Sequence, residues 1–157
     1  MSRGALIYYP PRSSVPHVAE FGAAPHSDFG TLTLLAQDDV GGLQVKDKSG
    51  VWIDADPIEG TFVVNVGDLL ARWSNGRFES PPHRVLNPRG QERYSVALFV
   101  DPNWDSLVEP VTFAGERAKH EPVGCVAYIM DRYDEAFAYR NKEDPPDGGA
   151  EELSRAH

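Results

Sequence analysis

The chemistry-bearing residues of this chain are few, and two short segments hold most of them. The first is His26-Ser27-Asp28. In an extended strand, residues two apart point to the same face, so this imidazole and carboxylate can converge on one point, as two ligands of a metal do. Two ligands hold a redox metal poorly, and a third is expected. Four other histidines are available. His83 sits in Ser80-Pro81-Pro82-His83-Arg84-Val85 at the start of a short apolar strand, His17 in a Pro-containing loop, His120 in a charged stretch, and His157 at the terminus. The second segment is Arg93-Tyr94-Ser95. On a strand, Arg93 and Ser95 share one face and Tyr94 takes the other. A planar guanidinium fork with a hydroxyl beside it suits a carboxylate. Buried inside a barrel, such an arginine is costly unless an anion meets it.

These segments must be positioned by elements, and the punctuation of the chain shows which. The 14 Gly and 13 Pro are scattered between short, β-rich apolar runs. Predicted strands are Ala5–Tyr9, Thr31–Leu35, Gly42–Val45, Val51–Ile53, Thr61–Val66 and Arg93–Val100, with Leu69–Trp73 as a seventh. Asp47-Lys48-Ser49-Gly50 predicts one hairpin turn, and Asn75-Gly76, which favours positive φ, a second after Leu69–Trp73. Seven or so strands at short spacing indicate an all-β sandwich or barrel. One helix is predicted near the end, where Val126, Ile129, Met130, Tyr133 and Phe137 form one stripe read as core packing. The segment from Asn141 onward, with Pro145-Pro146-Asp147-Gly148-Gly149, reads as a flexible tail, giving an ordered domain over 1–140 and a tail over 141–157.

Composition bounds the partners. A chain of 157 residues is one domain of ordinary size. Fifteen Lys+Arg against 24 Asp+Glu give a net charge of -9, which argues against nucleic acid or an anionic membrane surface held by a basic field. The single Cys125 makes no intramolecular disulfide, so a reducing, cytoplasmic setting is expected, with the thiol buried or inert. No apolar run approaches the roughly 20 residues of a spanning helix. Gly41-Gly42 reads as a turn, Gly67-Asp68 as a strand-end turn rather than a metal site, and Trp52, Trp73 and Trp104 as core or rim packing. His17 and His120 read as solvated loop residues.

Two imidazoles and one carboxylate on one face of an iron leave three positions open, the facial triad of non-haem Fe(II) oxygenases. The order His26-x-Asp28, His83, Arg93-x-Ser95 resembles the isopenicillin-N-synthase-like family of Fe(II)/2-oxoglutarate-dependent dioxygenases. The intervening Gly30-Thr31-Leu32-Thr33-Leu34-Leu35, Val40-Gly41-Gly42-Leu43-Gln44-Val45, Gly60–Asp68, Trp73–Phe78 and Pro82–Val85 match as well, from about Tyr8 to Pro102. The resemblance implies an all-β double-stranded β-helix (jelly-roll) with a C-terminal helix. It implies iron on His26, Asp28 and His83, 2-oxoglutarate chelating that iron, and O2 as oxidant. Arg93 and Ser95 would hold the distal carboxylate, with a further hydrogen bond from Tyr9.

The implied activity is oxidation of a small organic substrate by hydroxylation, desaturation or cyclisation, with release of succinate and CO2. Two rivals accompany it: a 2-oxoglutarate-independent non-haem iron oxidase, and an inactive truncated jelly-roll that binds a small acid or metal. Family members are longer and carry an N-terminal helical region outside the major sheet. Here Met1-Ser2-Arg3-Gly4 leads almost directly into the first strand. The corresponding sheet face is therefore expected to be covered by a second copy or another chain, or the chain to be part of a longer product.

Overall fold

The computed structural model describes residues 2–11, 21–87 and 90–137. The predicted tail from Asn141 and the loop holding His17 lie outside them. Ten strands and two helices follow one another along the described chain. They are β1 (Ser2–Tyr9), β2 (Phe21–His26), β3 (Leu32–Gln37), β4 (Leu43–Lys46), β5 (Trp52–Asp54), β6 (Val63–Val66), α1 (Asp68–Trp73), β7 (His83–Leu86), β8 (Arg93–Val100), β9 (Leu107–Val108), β10 (Val123–Gly124) and α2 (Cys125–Ala136). The first eight strands form two four-stranded sheets, β1-β8-β3-β6 and β2-β7-β4-β5, and every pairing among them is antiparallel. Successive strands switch between the sheets at every step except β4 to β5, which is the jelly-roll winding.

The strand pattern follows from side-chain alternation. Along β8, Arg93, Ser95 and Ala97 are buried while Tyr94, Val96 and Leu98 are exposed. The inner face closes on Tyr9, Leu43 and Val85, with Ile7, Ala23, Leu35, Ala55 and Val63 packed against them. A second cluster of Leu69, Val108, Cys125 and Ile129, with Phe29, Trp73, Tyr128 and Tyr133, joins both helices to the end of the sandwich. Cys125 is buried, and burial pushes its thiol pKa up, as expected of an inert thiol. The first predicted hairpin is present as β4–β5. The Asp47 carboxylate accepts from the backbone N–H of Ser49 and of Val51, at 2.9 Å and 2.8 Å, and Gly50 takes φ 87°.

Three expectations need correction. Leu69–Trp73 is not a strand of a second hairpin but the body of α1. Asn75 and Gly76 do take positive φ (56° and 81°), yet they terminate this helix instead of reversing a strand. The residue preference was right and the context wrong, because a positive-φ pair serves a helix end as well as a hairpin. Of the predicted stripe, Met130 is exposed and Phe137, just past the end of α2, is also exposed though it stacks on Tyr133, while Cys125, Tyr128, Ile129 and Tyr133 pack into the cluster. Trp104, expected in the core or at its rim, is exposed, which excludes the core.

The outward face of the β1-β8-β3-β6 sheet is apolar. Leu6 is 77% exposed, Val96 51% and Val64 58%, and Tyr8, Tyr94, Leu98 and Phe62 lie exposed with them. Among the described residues no helix is long and apolar enough to cross a membrane.

Candidate active site

His26 is the last residue of β2 and His83 the first of β7, and the two are direct cross-strand partners. Their rings therefore lie side by side, with centroids 4.4 Å apart. The register of β2 against β7 slips twice before His26, between Phe21 and Ala23 and between Ala23 and His26. Such irregularities re-aim side chains beside functional sites. Asp28 was expected on the same strand as His26, but β2 ends at His26 and Asp28 lies in the bend beyond it. Its carboxylate reaches the imidazoles because the bend is held from below. The Asp28 carbonyl accepts from the Asp68 N–H at 2.7 Å, and the Ser27 hydroxyl donates to the Asp68 carboxylate at 3.0 Å. Gly30 and Gly67 touch there so closely that a Cβ on Gly67 would overlap the Gly30 carbonyl. Asp68 is thus a helix-start residue that braces the bend, also accepting from Arg132 of α2 at 3.0 Å, in keeping with a structural rather than metal-binding Gly67-Asp68 pair.

The donor atoms of His26, Asp28 and His83 lie within 4.8 Å of one another. Asp28 Oδ1 is 4.0 Å from His26 Nε2 and 3.8 Å from His83 Nε2. Every other polar atom of the trio is engaged elsewhere. His26 Nδ1 is 2.7 Å from the Ala24 carbonyl and His83 Nδ1 is 3.3 Å from the Pro81 carbonyl, contacts that suit the tautomer with the proton on Nδ1 and Nε2 turned to a ligand. Asp28 Oδ2 accepts from the Thr33 hydroxyl at 2.5 Å and from the Asn65 amide at 2.7 Å, which leaves Oδ1 facing the imidazoles. Burial pushes the His83 pKa below its ordinary value; the Asp28 charge opposes that shift and His26 adds to it. A neutral imidazole is the form that ligates a metal. Thr33 and Asn65 escaped the sequence reading. Their signal is their place on adjacent strands, since Thr33 of β3 pairs with Asn65 of β6, but that register is not visible in one dimension.

The trio opens into a cavity of about 120 Å³ between the sheets, lined among others by Tyr9, Leu35, Leu43, Val85, Arg93 and Phe99. That volume approaches the roughly 150 Å³ of a protein cavity known to hold benzene. Arg93 enters it from β8 with no solvent exposure. Its Nε donates to the Gly41 carbonyl at 2.8 Å, its Nη2 donates to Gln37 Oε1 at 2.8 Å, and its Nη1 has no partner. The buried Ser95 hydroxyl, two residues along the same inward face, has none either. Tyr9 stacks its ring 4.7 Å from the Arg93 guanidinium carbon. Gly22 makes that stacking possible, because a Cβ there would stand 2.8 Å from Tyr9 Cδ1. Buried donors without acceptors are uncommon in folded proteins, and two on one inward strand face, one of them inside a cavity, are able to take an external acceptor. His120 is exposed.

Two histidines and a carboxylate with converging donors, in one cavity with a buried guanidinium, fit a chelated iron and an acid; Ser95 is buried next along the strand but is not among the residues lining that cavity. Residues 4–102 match the profile of the 2OG-Fe(II) oxygenase superfamily. The chain belongs to that superfamily. It is 46% identical over 125 residues to a homoarginine-6-hydroxylase of Oryza sativa subsp. japonica, covering 75% of this chain and 38% of the relative. It is 42% identical over 120 residues to a 2-oxoglutarate-Fe(II) type oxidoreductase of Emericella nidulans, covering 74% of this chain and 34% of the relative. Among solved structures, a full-length Neurospora crassa protein in complex with alpha-KG and thymine superposes with a TM-score of 0.80 at 40% identity. That match covers 87% of this chain and 44% of the Neurospora protein. The dioxygenase for auxin oxidation in rice superposes with a TM-score of 0.78 at 31% identity, over 86% of this chain and 47% of that one. The chain thus spans less than half the length of these relatives.

Proposed function

We propose that this chain is the catalytic jelly-roll of an Fe(II)- and 2-oxoglutarate-dependent dioxygenase that oxidises a small organic substrate by hydroxylation, desaturation or ring closure. The observation that carries the reading is Arg93: a fully buried cation whose Nη1 lacks a partner, in one cavity with three converging metal donors. Bound iron, 2-oxoglutarate and O2 supply the oxidising power, the co-substrate leaving as succinate and CO2.

The protein's part is positional. His26 and His83 offer Nε2 and Asp28 offers Oδ1, while the Ala24 and Pro81 carbonyls fix the ring tautomers and Thr33 and Asn65 fix the carboxylate. Arg93 Nη1 and the Ser95 hydroxyl take the distal carboxylate of the co-substrate, and Tyr9 completes that end of the cavity with a further hydrogen bond. Leu35, Leu43, Val85 and Phe99 keep the reacting centre dry. The exposed apolar face of the β1-β8-β3-β6 sheet calls for cover, by a second copy or a partner chain. The lone, buried Cys125 suits a reducing, cytoplasmic setting.

The test is an anaerobic titration of the purified chain with Fe(II) and 2-oxoglutarate, followed by visible absorption. A saturable charge-transfer band, absent in His83→Ala, is the expected result. A folded, iron-loaded chain that gives no band overturns the reading.

A further inference from the structure

Resting on that reading, we infer that Gln37 is the positioning residue of the co-substrate clamp: it orients the Arg93 guanidinium through a neutral acceptor and so keeps the positive charge of Arg93 available for the incoming carboxylate.

Acids flank both members of the pair in sequence, with Glu92 directly before Arg93 and Asp38 and Asp39 directly after Gln37, in a chain of net charge -9. Nevertheless, among the described residues no carboxylate pairs with it. Both of its hydrogen bonds go to uncharged oxygens, the Gly41 carbonyl and Gln37 Oε1. The nearest acid in sequence to Gln37 is held elsewhere: Asp38 accepts from the Tyr94 N–H through Oδ2 and from the Val40 N–H, at 3.1 Å, through Oδ1.

The Gln37 amide can face only one way. Its Nε2 donates to the Ala55 carbonyl at 3.2 Å, which leaves Oε1 toward the guanidinium; the reverse orientation would set donor against donor and acceptor against acceptor. The backbone is built to the same end. Gly41 and Gly42 take φ 81° and 88°, and in that turn the Gly41 carbonyl meets Arg93 Nε. Gln37 closes β3 directly opposite Ser95 of β8, so its side chain reaches across to the neighbouring Arg93. Two of the three guanidinium nitrogens are thereby fixed without being neutralised, and only Nη1 is left for a ligand.

A preformed ion pair would compete with a carboxylate ligand, whereas a neutral hydrogen bond does not. This reverses the usual ranking of substitutions. Both variants lose the 3.2 Å donation to the Ala55 carbonyl, but Gln37→Glu keeps an acceptor for Nη2 and makes that contact stronger, so a role confined to holding Arg93 in place makes it the milder change. Gln37→Met fills similar space but leaves Nη2 without an acceptor, so a structural role makes it the harsher one. Under the inference the order inverts.

The experiment titrates 2-oxoglutarate into the Fe(II)-loaded wild-type chain and both variants without O2, and measures Fe(II) affinity separately in the absence of 2-oxoglutarate. Gln37→Glu is expected to weaken 2-oxoglutarate binding about ten-fold or more, and Gln37→Met about three-fold, both with wild-type Fe(II) affinity. A Gln37→Glu affinity equal to or better than that of Gln37→Met overturns the inference and leaves the proposed function standing. So does an unchanged affinity in Gln37→Met, which decides the matter if Gln37→Glu does not fold. Failure of the wild-type chain to bind 2-oxoglutarate overturns the proposed function, and the inference with it.

Discussion

Removing Arg93 should uncouple co-substrate binding from stability, and the size of the effect follows from its surroundings. Arg93 is fully buried, and its Nη1 has no protein acceptor. Losing a charged contact from such a site costs about 2–5 kcal/mol of ligand affinity, roughly a 30- to 5,000-fold rise in Kd. A ligand present at 100 times its Kd stabilises the folded state by about 2.7 kcal/mol. In Arg93→Leu the same concentration is at most about three times Kd, and the stabilisation falls below roughly 0.9 kcal/mol. For a chain of this size 1 kcal/mol moves Tm by about 2–4 °C, so the wild-type shift of roughly 5–11 °C should shrink to about 3 °C or less. The assay is thermal unfolding of the Fe(II)-loaded protein, without O2, with and without 2-oxoglutarate. Equal shifts in the two proteins would remove Arg93 from the clamp and leave its unpartnered nitrogen unexplained.

Two further outcomes follow from the same geometry. Asn65→Ala takes one of the two hydrogen bonds from Asp28 Oδ2 in a site too buried for water to replace it freely, and should weaken Fe(II) binding about 10- to 100-fold. An unchanged Fe(II) titration would mean that Thr33 alone suffices to hold the carboxylate. The apolar outer face of the β1-β8-β3-β6 sheet should make the isolated chain self-associate or bind an apolar dye, with Val96→Lys reducing both. Sedimentation as a clean 17.3 kDa species with little dye binding would show that the face needs no cover.

What could be read from the sequence was whatever depends on near neighbours. The alternation of β8 placed Arg93 and Ser95 on one inward face and Tyr94 on the other, as found. The Asp47–Gly50 turn joined the two strands it was expected to join. By contrast, α1 was misread because Asn75-Gly76 states a backbone conformation and not what precedes it. Asp28 was placed on a strand because His-x-Asp spacing cannot show where the strand stops. The atoms that tune the metal donors were beyond reach altogether. Thr33, Asn65 and the Pro81 carbonyl meet Asp28 and His83 through strand register and a bend, and the residues involved are up to 37 apart in sequence.

The division of the site between the two sheets explains why it needed a sandwich at all. The imidazoles come from β2 and β7 of one sheet, the guanidinium and hydroxyl from β8 of the other, and Asp28 from the connection that crosses between them. On the proposed reading a bifunctional acid is met at both ends, and two facing sheets offer two inward surfaces a fixed distance apart, roughly 10 Å in packed sheets. Side chains pointing inward from both span that gap with little backbone adjustment. The polar groups at each end are then held by strands of the β1-β8-β3-β6 sheet: Asp28 by Thr33 and Asn65 from β3 and β6, Arg93 by Gln37 from β3. β3 therefore serves both ends, carrying Thr33 toward the metal donors and Gln37 toward the clamp, four residues apart. A change of twist or register in that one strand would disturb iron and co-substrate together. Independent loss of one without the other, as expected for Asn65→Ala and Gln37→Glu, requires that the β3 backbone stay fixed while a single side chain changes.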